Sequence, residues 1–196
     1  VTTDPDSSLL GRTPGLPESH FVHDGLITKH PIRAVALAAL RPLPGQMLWD
    51  LGTGAGSIAI EWCRTDPGCG AIGVEQRPDR AEHARQNAAN LTLPGQVTIV
   101  ESDIEQALPQ LPDPDAIFIG GGLTASLAAR CIDALHTGGR FVVNAVTLEA
   151  ELVIGQLALD HGGELMRLEV HNGDHIGALH GFKPLRMVTS WTWVKP

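Results

Sequence analysis

The sequence predicts one α/β domain in which a mostly parallel, seven-stranded sheet is covered by helices on both faces. Three observations carry this. Short, near-continuous apolar runs alternate with stretches of helical periodicity, the pattern of parallel strands buried on both sides. The first of those runs feeds a glycine-rich turn that opens directly into a helix. The last two runs, residues 165–170 and 187–194, have no helical stretch between them, which adds an antiparallel strand at one edge of the sheet.

Residues 1–15 lack an initiator Met and have the polar, proline-dotted composition of a linker, as expected for a domain cut from a longer polypeptide over 16–196. Residues 16–27 have no clean period and are expected to lie over the domain as an ordered arm. Thr28 is placed to cap a helix reaching Leu40, with Ile32, Val35, Ala36, Ala39 and Leu40 as its apolar stripe. Met47, Leu48 and Trp49 open the first strand, which ends at Asp50 and Leu51. The turn Gly52-Thr53-Gly54-Ala55-Gly56 follows, and helical spacing resumes from Ser57 to Arg64. A second strand ends at Glu75, and Pro78 with Asp79 starts a helix facing inward through Ala81, Ala84, Ala88 and Leu91. A third strand at 97–100 leads to Ser102-Asp103-Ile104, and a fourth at 115–119 runs into Gly120-Gly121-Gly122. Then come a helix at 124–135, a strand at 140–146, and a helix capped by Thr147 and closed by Gly162-Gly163. A loop bearing glycine and histidine joins the last two strands.

Composition bounds the function. A chain of 196 residues buries one sizeable core. Aromatics are 4% and tyrosine is absent, so the core is expected to consist of Ala, Val, Leu and Ile. No apolar run reaches the length of a membrane span and no signal-peptide pattern is present. Three cysteines without C-x-x-C spacing point to reduced thiols and a cytoplasmic protein. A net charge of −8 argues against a nucleic-acid partner.

The glycine turn selects the cofactor. A dinucleotide fingerprint needs Gly or Ala where Ser57 stands, and no Lys-Ser/Thr pair follows to make a P-loop. D-x-G-x-G-x-G from Asp50 resembles motif I of the class I, Rossmann-like S-adenosylmethionine (SAM) methyltransferases, which favours SAM over a nicotinamide or flavin dinucleotide. Ligands of open α/β sheets bind at the carboxyl ends of the strands. That puts Asp50, Gly52, Thr53, Gly54, Gly56, Glu75, Gln76, Asp103, Ile104, Gly120 and Gly121 at the cofactor. Glu75 is expected to take the ribose hydroxyls, and Asp103 the adenine amino group, with Ile104 lining the base. The plainer alternatives are a surface carboxylate and a solvated acid at a strand end.

The fourth strand lacks the Asn/Asp-Pro-Pro-aromatic motif of amino-group methyltransferases. Its glycines either make a flexible turn or clear space beside the sulfonium for a wide, flat acceptor. An electron-rich carbon attacks a methyl group without a base, and no catalytic residue is assigned. The histidines do not spell a metal site: His20-x-x-His23 has no cysteine beside it, and glycines interrupt His171, His175 and His180. An anionic substrate fits them better. Arg12, Lys29, Arg33, Arg41, His20, His23 and His30 gather near the start, and His175, His180, Lys183 and Arg186 near the end. If these ends meet, His20, His23, Lys29, Arg33, His175 and Lys183 are the substrate-contact candidates; otherwise they form two unrelated solvated patches.

G-L-I-T-K-x-x-x-R-A at 25–34, L-W-D-L-G-T-G-A-G-S-I-A-I-E at 48–61, F-I-G-G-G at 118–122 and G-G-R-F-V-V-N-A-V-T-L-E at 138–149 together resemble the decarboxylating precorrin methyltransferases of cobalamin (vitamin B12) synthesis. The resemblance covers nearly the whole chain from Leu16. It implies SAM-dependent methylation of carbon 15 of a precorrin tetrapyrrole and decarboxylation of the acetate on ring C (carbon 12). It also implies a homotetramer and a fused N-terminal precorrin methyltransferase domain acting on carbon 5. Thr28, matching the family's T-K pair, becomes the contact for the SAM carboxylate. The resemblance assigns no acid for the decarboxylation. Two other readings stay open: a methyltransferase for another acceptor such as RNA, and a non-catalytic subunit with the methyltransferase fold.

Overall fold

A computed structural model describes residues 10–196, so residues 1–9 of the expected linker lie outside the described residues. The main sheet contains β1 (Met47–Leu51), β2 (Gly70–Glu75), β3 (Val97–Glu101), β4 (Ala116–Ile119), β5 (Arg140–Ala145), β6 (Glu164–Leu168) and β9 (Val188–Val194), in the order β3-β2-β1-β4-β5-β9-β6. The first five strands of that order are mutually parallel, while β9 is antiparallel to both β5 and β6. The antiparallel strand therefore sits one in from the edge. Burial explains why: V-T-S-W-T-W-V inserts two buried tryptophans between its neighbours, whereas E-L-M-R-L of β6 is largely exposed and suits an edge.

The helices are α1 (His30–Leu40), α2 (Ser57–Thr65), α3 (Pro78–Leu91), the short α4 (Ile104–Ala107), α5 (Ala125–Ala134) and α6 (Leu148–His161). Thr124 and Thr147 cap α5 and α6 by accepting from Leu127 N at 3.1 Å and Ala150 N at 3.4 Å. Thr28 caps nothing. Pro31 sets the start of α1 two residues later, with Lys29 as the flanking residue. The glycine- and histidine-bearing loop is a second departure. It folds as an antiparallel hairpin, β7 (His171–Ile176) with β8 (Leu179–Pro184), outside the main sheet. H-N-G-D-H-I shows no apolar alternation because the whole of β7 is exposed, so periodicity had nothing to register.

The core is not purely aliphatic. All four tryptophans are buried, together with Phe21, Phe118 and Phe141. Trp191 meets Phe141 edge-on at 5.6 Å and Trp193 in a stack at 6.2 Å, closing the β5–β9 side of the sheet. The three cysteines are free and buried, and desolvation pushes the Cys63 and Cys131 thiols up to about 12.

The arm before α1 is fastened by one buried ion pair. Arg33 Nε donates to Glu61 Oε1 at 2.5 Å, with both side chains almost fully buried. Arg33 also donates to the carbonyls of Leu16 and Thr28, and Glu61 accepts from the backbone N–H groups of Gly15 and Leu16. Asn87 of α3 adds a second fastening: it accepts from Val22 N at 2.7 Å and donates to Val22 O and Ala55 O, both at 2.9 Å. Even the described end of the expected linker is held, since Arg64 donates to the carbonyls of Leu10 and Gly11. Removing one charge of the buried pair strands the other. Glu61→Gln is expected to lower stability by about 3–5 kcal/mol in urea unfolding, with Arg33→Met/Glu61→Leu recovering most of it. A single-variant loss below about 1 kcal/mol would show that the pair does not fasten the arm.

Candidate active site

A cavity of about 790 Å³ opens at the carboxyl ends of β1, β2, β4 and β5. The arm at 25–29 roofs it, the glycine turn after β1 forms one wall, and Gly120-Gly121-Gly122 and the segment 185–188 form the opposite side. Thr28, Lys29, Asp50, Gly52, Thr53, Gly54, Glu75, Gln76, Asp103, Ile104, Gly120 and Gly121 all line it.

Asp50 lines the cavity, and its carboxylate organises the turn. Its Oδ2 accepts from Thr53 Oγ1 at 2.6 Å and from Ala59 N at 3.2 Å, tying the end of β1 to the first turn of α2. Burial pushes its carboxyl up to about 6, helped by the nearby Glu75 charge and opposed by those two hydrogen bonds. Gly52 and Gly54 have φ of 77° and 56°, and a Cβ on either would meet nothing closer than 3.5 Å within the protein. A backbone in that conformation, with space above it, lets a ligand approach closely. Gly56 serves differently. It lies outside the cavity lining, and a Cβ there would come within 3.2 Å of Ala84 Cβ, so its small size lets α2 pack on α3.

Glu75 is 5% exposed, and its carboxylate accepts from Gly54 N at 3.1 Å and Arg77 N at 2.9 Å. Both bonds hold it upright against the glycine turn. Asp103 caps α4 through Oδ1, which accepts from Glu105 N at 2.9 Å and Gln106 N at 3.4 Å. After β4, a Cβ on Gly121 or Gly122 would meet open space, whereas one on Gly120 would come within 3.0 Å of the Phe118 ring.

The two basic ends of the sequence meet here, but through few residues. Lys29 from the arm and Arg186 after the hairpin line the same cavity, and neither has an ion-pair partner among the described residues. Arg33 does not reach it, because its guanidinium is buried against Glu61. His20, His23, His175 and Lys183 lie outside the lining; His23 Nδ1 accepts from Gly25 N at 2.9 Å, and the His175 ring lies 4.6 Å from that of His180, tilted by 49°, on the hairpin. Among the described residues no group of three or more His, Cys, Asp or Glu is placed to hold a metal ion, and no helix is long and apolar enough to cross a membrane. Sequence reasoning left out Arg80, and it puts Asn144 only at a strand end that faces the ligand, with no role. Arg80 lines the cavity while its Nε donates to Asp24 Oδ2 at 2.8 Å, latching the arm to α3. Asn144 interrupts the apolar run of β5, the one signal in the sequence that marks it.

The profile of the precorrin methyltransferase domain matches residues 19–195. The chain is 44% identical over its whole length to a precorrin-6Y C(5,15)-methyltransferase [decarboxylating] from Sinorhizobium sp, of which it spans 47%. It is 30% identical to a Pyrobaculum aerophilum protein named "Probable cobalt-precorrin-6B C(15)-methyltransferase (decarboxylating)", covering 90% of this chain and 93% of that one. Among solved structures, the C-terminal domain of precorrin-6Y C5,15-methyltransferase from Rhodobacter capsulatus superposes with a TM-score of 0.90 at 41% identity, over 95% of this chain and 100% of that domain.

Asp50 gives a pH test. Its folded pKa lies above the unfolded one, so its contribution is fully present below the unfolded value near pH 4 and is lost as pH rises through about 6. Relative to Asp50→Asn, the wild type is expected to lose on the order of 2–3 kcal/mol across that window in pH-resolved chemical unfolding. A difference constant with pH would show that burial does not perturb this carboxyl.

Proposed function

The chain belongs to the precorrin methyltransferase domain family, and from that premise we propose that it methylates carbon 15 of a precorrin macrocycle with SAM and removes carbon dioxide from the ring C acetate. The observation that carries this is the asymmetry of the cavity at the strand ends. Acids and a glycine turn line its β1–β3 side; glycines, apolar side chains and Arg186 line its β4–β9 side, and Lys29 reaches it from the arm.

SAM fits the first side. A Cβ on Gly52 or Gly54 would fill the gap toward Gly121 O or Leu26 O, so these glycines leave a cradle at the cavity wall, and the Glu75 carboxylate accepts from Gly54 N beside it. Glu75 takes the ribose hydroxyls, Asp103 Oδ2 the adenine amino group with Ile104 and Gln76 against the base, and Thr28 the cofactor's carboxylate. Gly120 and Gly121 flank the reacting end. Bound SAM supplies an electrophilic methyl group. The protein's part is to align the acceptor and keep water away. Lys29 and Arg186 grip carboxylates of a polyanionic acceptor, and the open glycine turn at 120–122 admits the flat ring. An RNA acceptor fits less well, because two cations on one rim make no basic stripe.

The reading of 16–196 as the methyltransferase domain, with a second precorrin methyltransferase domain ahead of it, is supported by the chain's spanning about half of its Sinorhizobium relative and by its likeness to a C-terminal domain. A homotetramer is supported by apolar side chains that nothing in one copy covers: Leu148, Leu152 and Leu159 of α6, and Ile176, Leu179 and Phe182 of the hairpin are each more than half exposed. Free buried thiols accord with the cytoplasm.

Incubation with SAM and the precorrin-6 substrate, read by mass, is expected to show gain of one methyl group and loss of one carbon dioxide; neither change in folded protein would refute the reading. Glu75→Ala is expected to weaken SAM binding by about 1–3 kcal/mol in calorimetry, through loss of charge-assisted hydrogen bonds. Unchanged affinity in a folded variant would remove Glu75 from the cofactor site. Gly121→Val places its side chain in open cavity space, so the variant should fold yet methylate poorly. Full methylation by it would move the acceptor elsewhere.

A further inference from the structure

Two side chains among the described residues bury polar atoms that have no hydrogen-bond partner: Trp62 and Asn144. Trp62 is a core residue under the Arg140 guanidinium. Asn144 lines the cavity, is 7% exposed, and has both Nδ2 and Oδ1 unpaired. Each unpaired buried group gives up its hydrogen bonds to water and gains none in return. Its strand neighbours Val142, Val143 and Ala145 are all apolar and buried, and another such residue would carry no such cost. The asparagine therefore works against the ligand-free fold.

Its position indicates the ligand. β4 and β5 run in parallel register with Ile119 beside Val143, which brings Asn144 alongside the start of the glycine turn. On its other side Asn144 pairs with Ser190 of β9. It thus belongs to the β4–β9 side, away from Glu75 and Asp103 at the ends of β2 and β3, and among the apolar lining of Phe118, Val146, Leu185 and Val188.

We propose that Asn144 is an acceptor-positioning residue whose Nδ2 donates to the acetate carboxylate that leaves as carbon dioxide. This rests on the function proposed above. In that step the bond between the acetate methylene and its carboxyl carbon breaks, and the electron pair passes into the conjugated imine of the macrocycle. Carbon dioxide departs, and the methylene later takes a proton from solvent to become a methyl group. The breaking bond must stand across the ring plane for the electrons to enter it. A neutral amide fixes that angle without an ion pair, which would hold the carboxylate more tightly than the charge-dispersed transition state. Turning the side chain toward the ligand gives up no hydrogen bond, since the ligand-free protein makes none there.

Asn144→Leu and Asn144→Asp test this, the first by removing the donor at similar volume and the second by setting a carboxylate against a carboxylate. Ligand-free Asn144→Leu is expected to melt about 2–4 °C above the wild type, because an orphaned amide is gone. Both variants should bind SAM like the wild type in calorimetry. In single turnovers followed by mass, methylated product that retains its carboxyl should accumulate, with decarboxylation slowed ~10–100-fold. Decarboxylation at the wild-type rate would overturn the inference, and so would a lowered melting temperature with methylation and decarboxylation impaired alike, the mark of a structural role. Failure of the proposed function itself would appear in the wild type, as the absence of both mass changes, and the inference would fall with it.

Discussion

The buried pair of Arg33 and Glu61 is the constraint on which the rest of the site depends. The arm at 16–29 has little periodicity, and the burial of Leu16 and Phe21 against Ile60 and Ala88 anchors two points without giving the rest of the arm a shape. The ion pair supplies one by fixing the carbonyls of Leu16 and Thr28 and the N–H groups of Gly15 and Leu16 around a single charged centre. Asn87 and the Asp24–Arg80 contact repeat the device further along the arm. The result is a roof over the cavity made by residues 25–29, which bring Thr28 and Lys29 to its lining just ahead of α1. A buried ion pair is weak evidence of stability in itself, because desolvation offsets attraction. Here its evident effect is to select one path for the arm.

The floor of the site shows the opposite tension. Asp50 and Glu75 are two buried carboxyls at the ends of adjacent strands, and burial raises the pKa of the first. Apolar residues at those positions would avoid the desolvation. The hydrogen bonds explain what the acids achieve: Asp50 joins β1 to α2, and Glu75 is held by two backbone N–H groups against the glycine turn. Both therefore preorganise the turn at some cost to stability. Asn144 follows the same logic on the other side, with an amide that the fold itself does not satisfy. Polar groups buried at a loss are gathered around one cavity.

Much of this was legible beforehand. Strand ends beside Asp50, at Glu75 and shortly before Asp103 follow from apolar runs closing on an acid, and the helix cap at Thr147 from local chemistry with a range of three residues. Three features were not legible. Arg33 carries the same charge whether it meets a substrate or a buried glutamate 28 positions away, and only packing decides between them. Gly56 reads as a third cofactor glycine, yet Ala84 on another helix sets the need for it. The hairpin at 171–184 has no buried face, so it left no hydrophobic period to detect.

By itself, the sequence determined the layered α/β architecture, the strand ends that converge on the cavity, and the family to which the chain belongs. Those properties arise from short-range patterning: burial on both faces of a strand, glycine where the backbone needs positive φ, and capping within one turn. Tertiary structure decided which charges are free, since Lys29 and Arg186 reach the cavity while Arg33 is neutralised inside the protein. It also decided the placing of β9 between β5 and β6, and the isolation of the Asn144 amide. Each is a competition between distant segments for the same partner or the same buried space, and a linear sequence does not record the distances on which that competition turns.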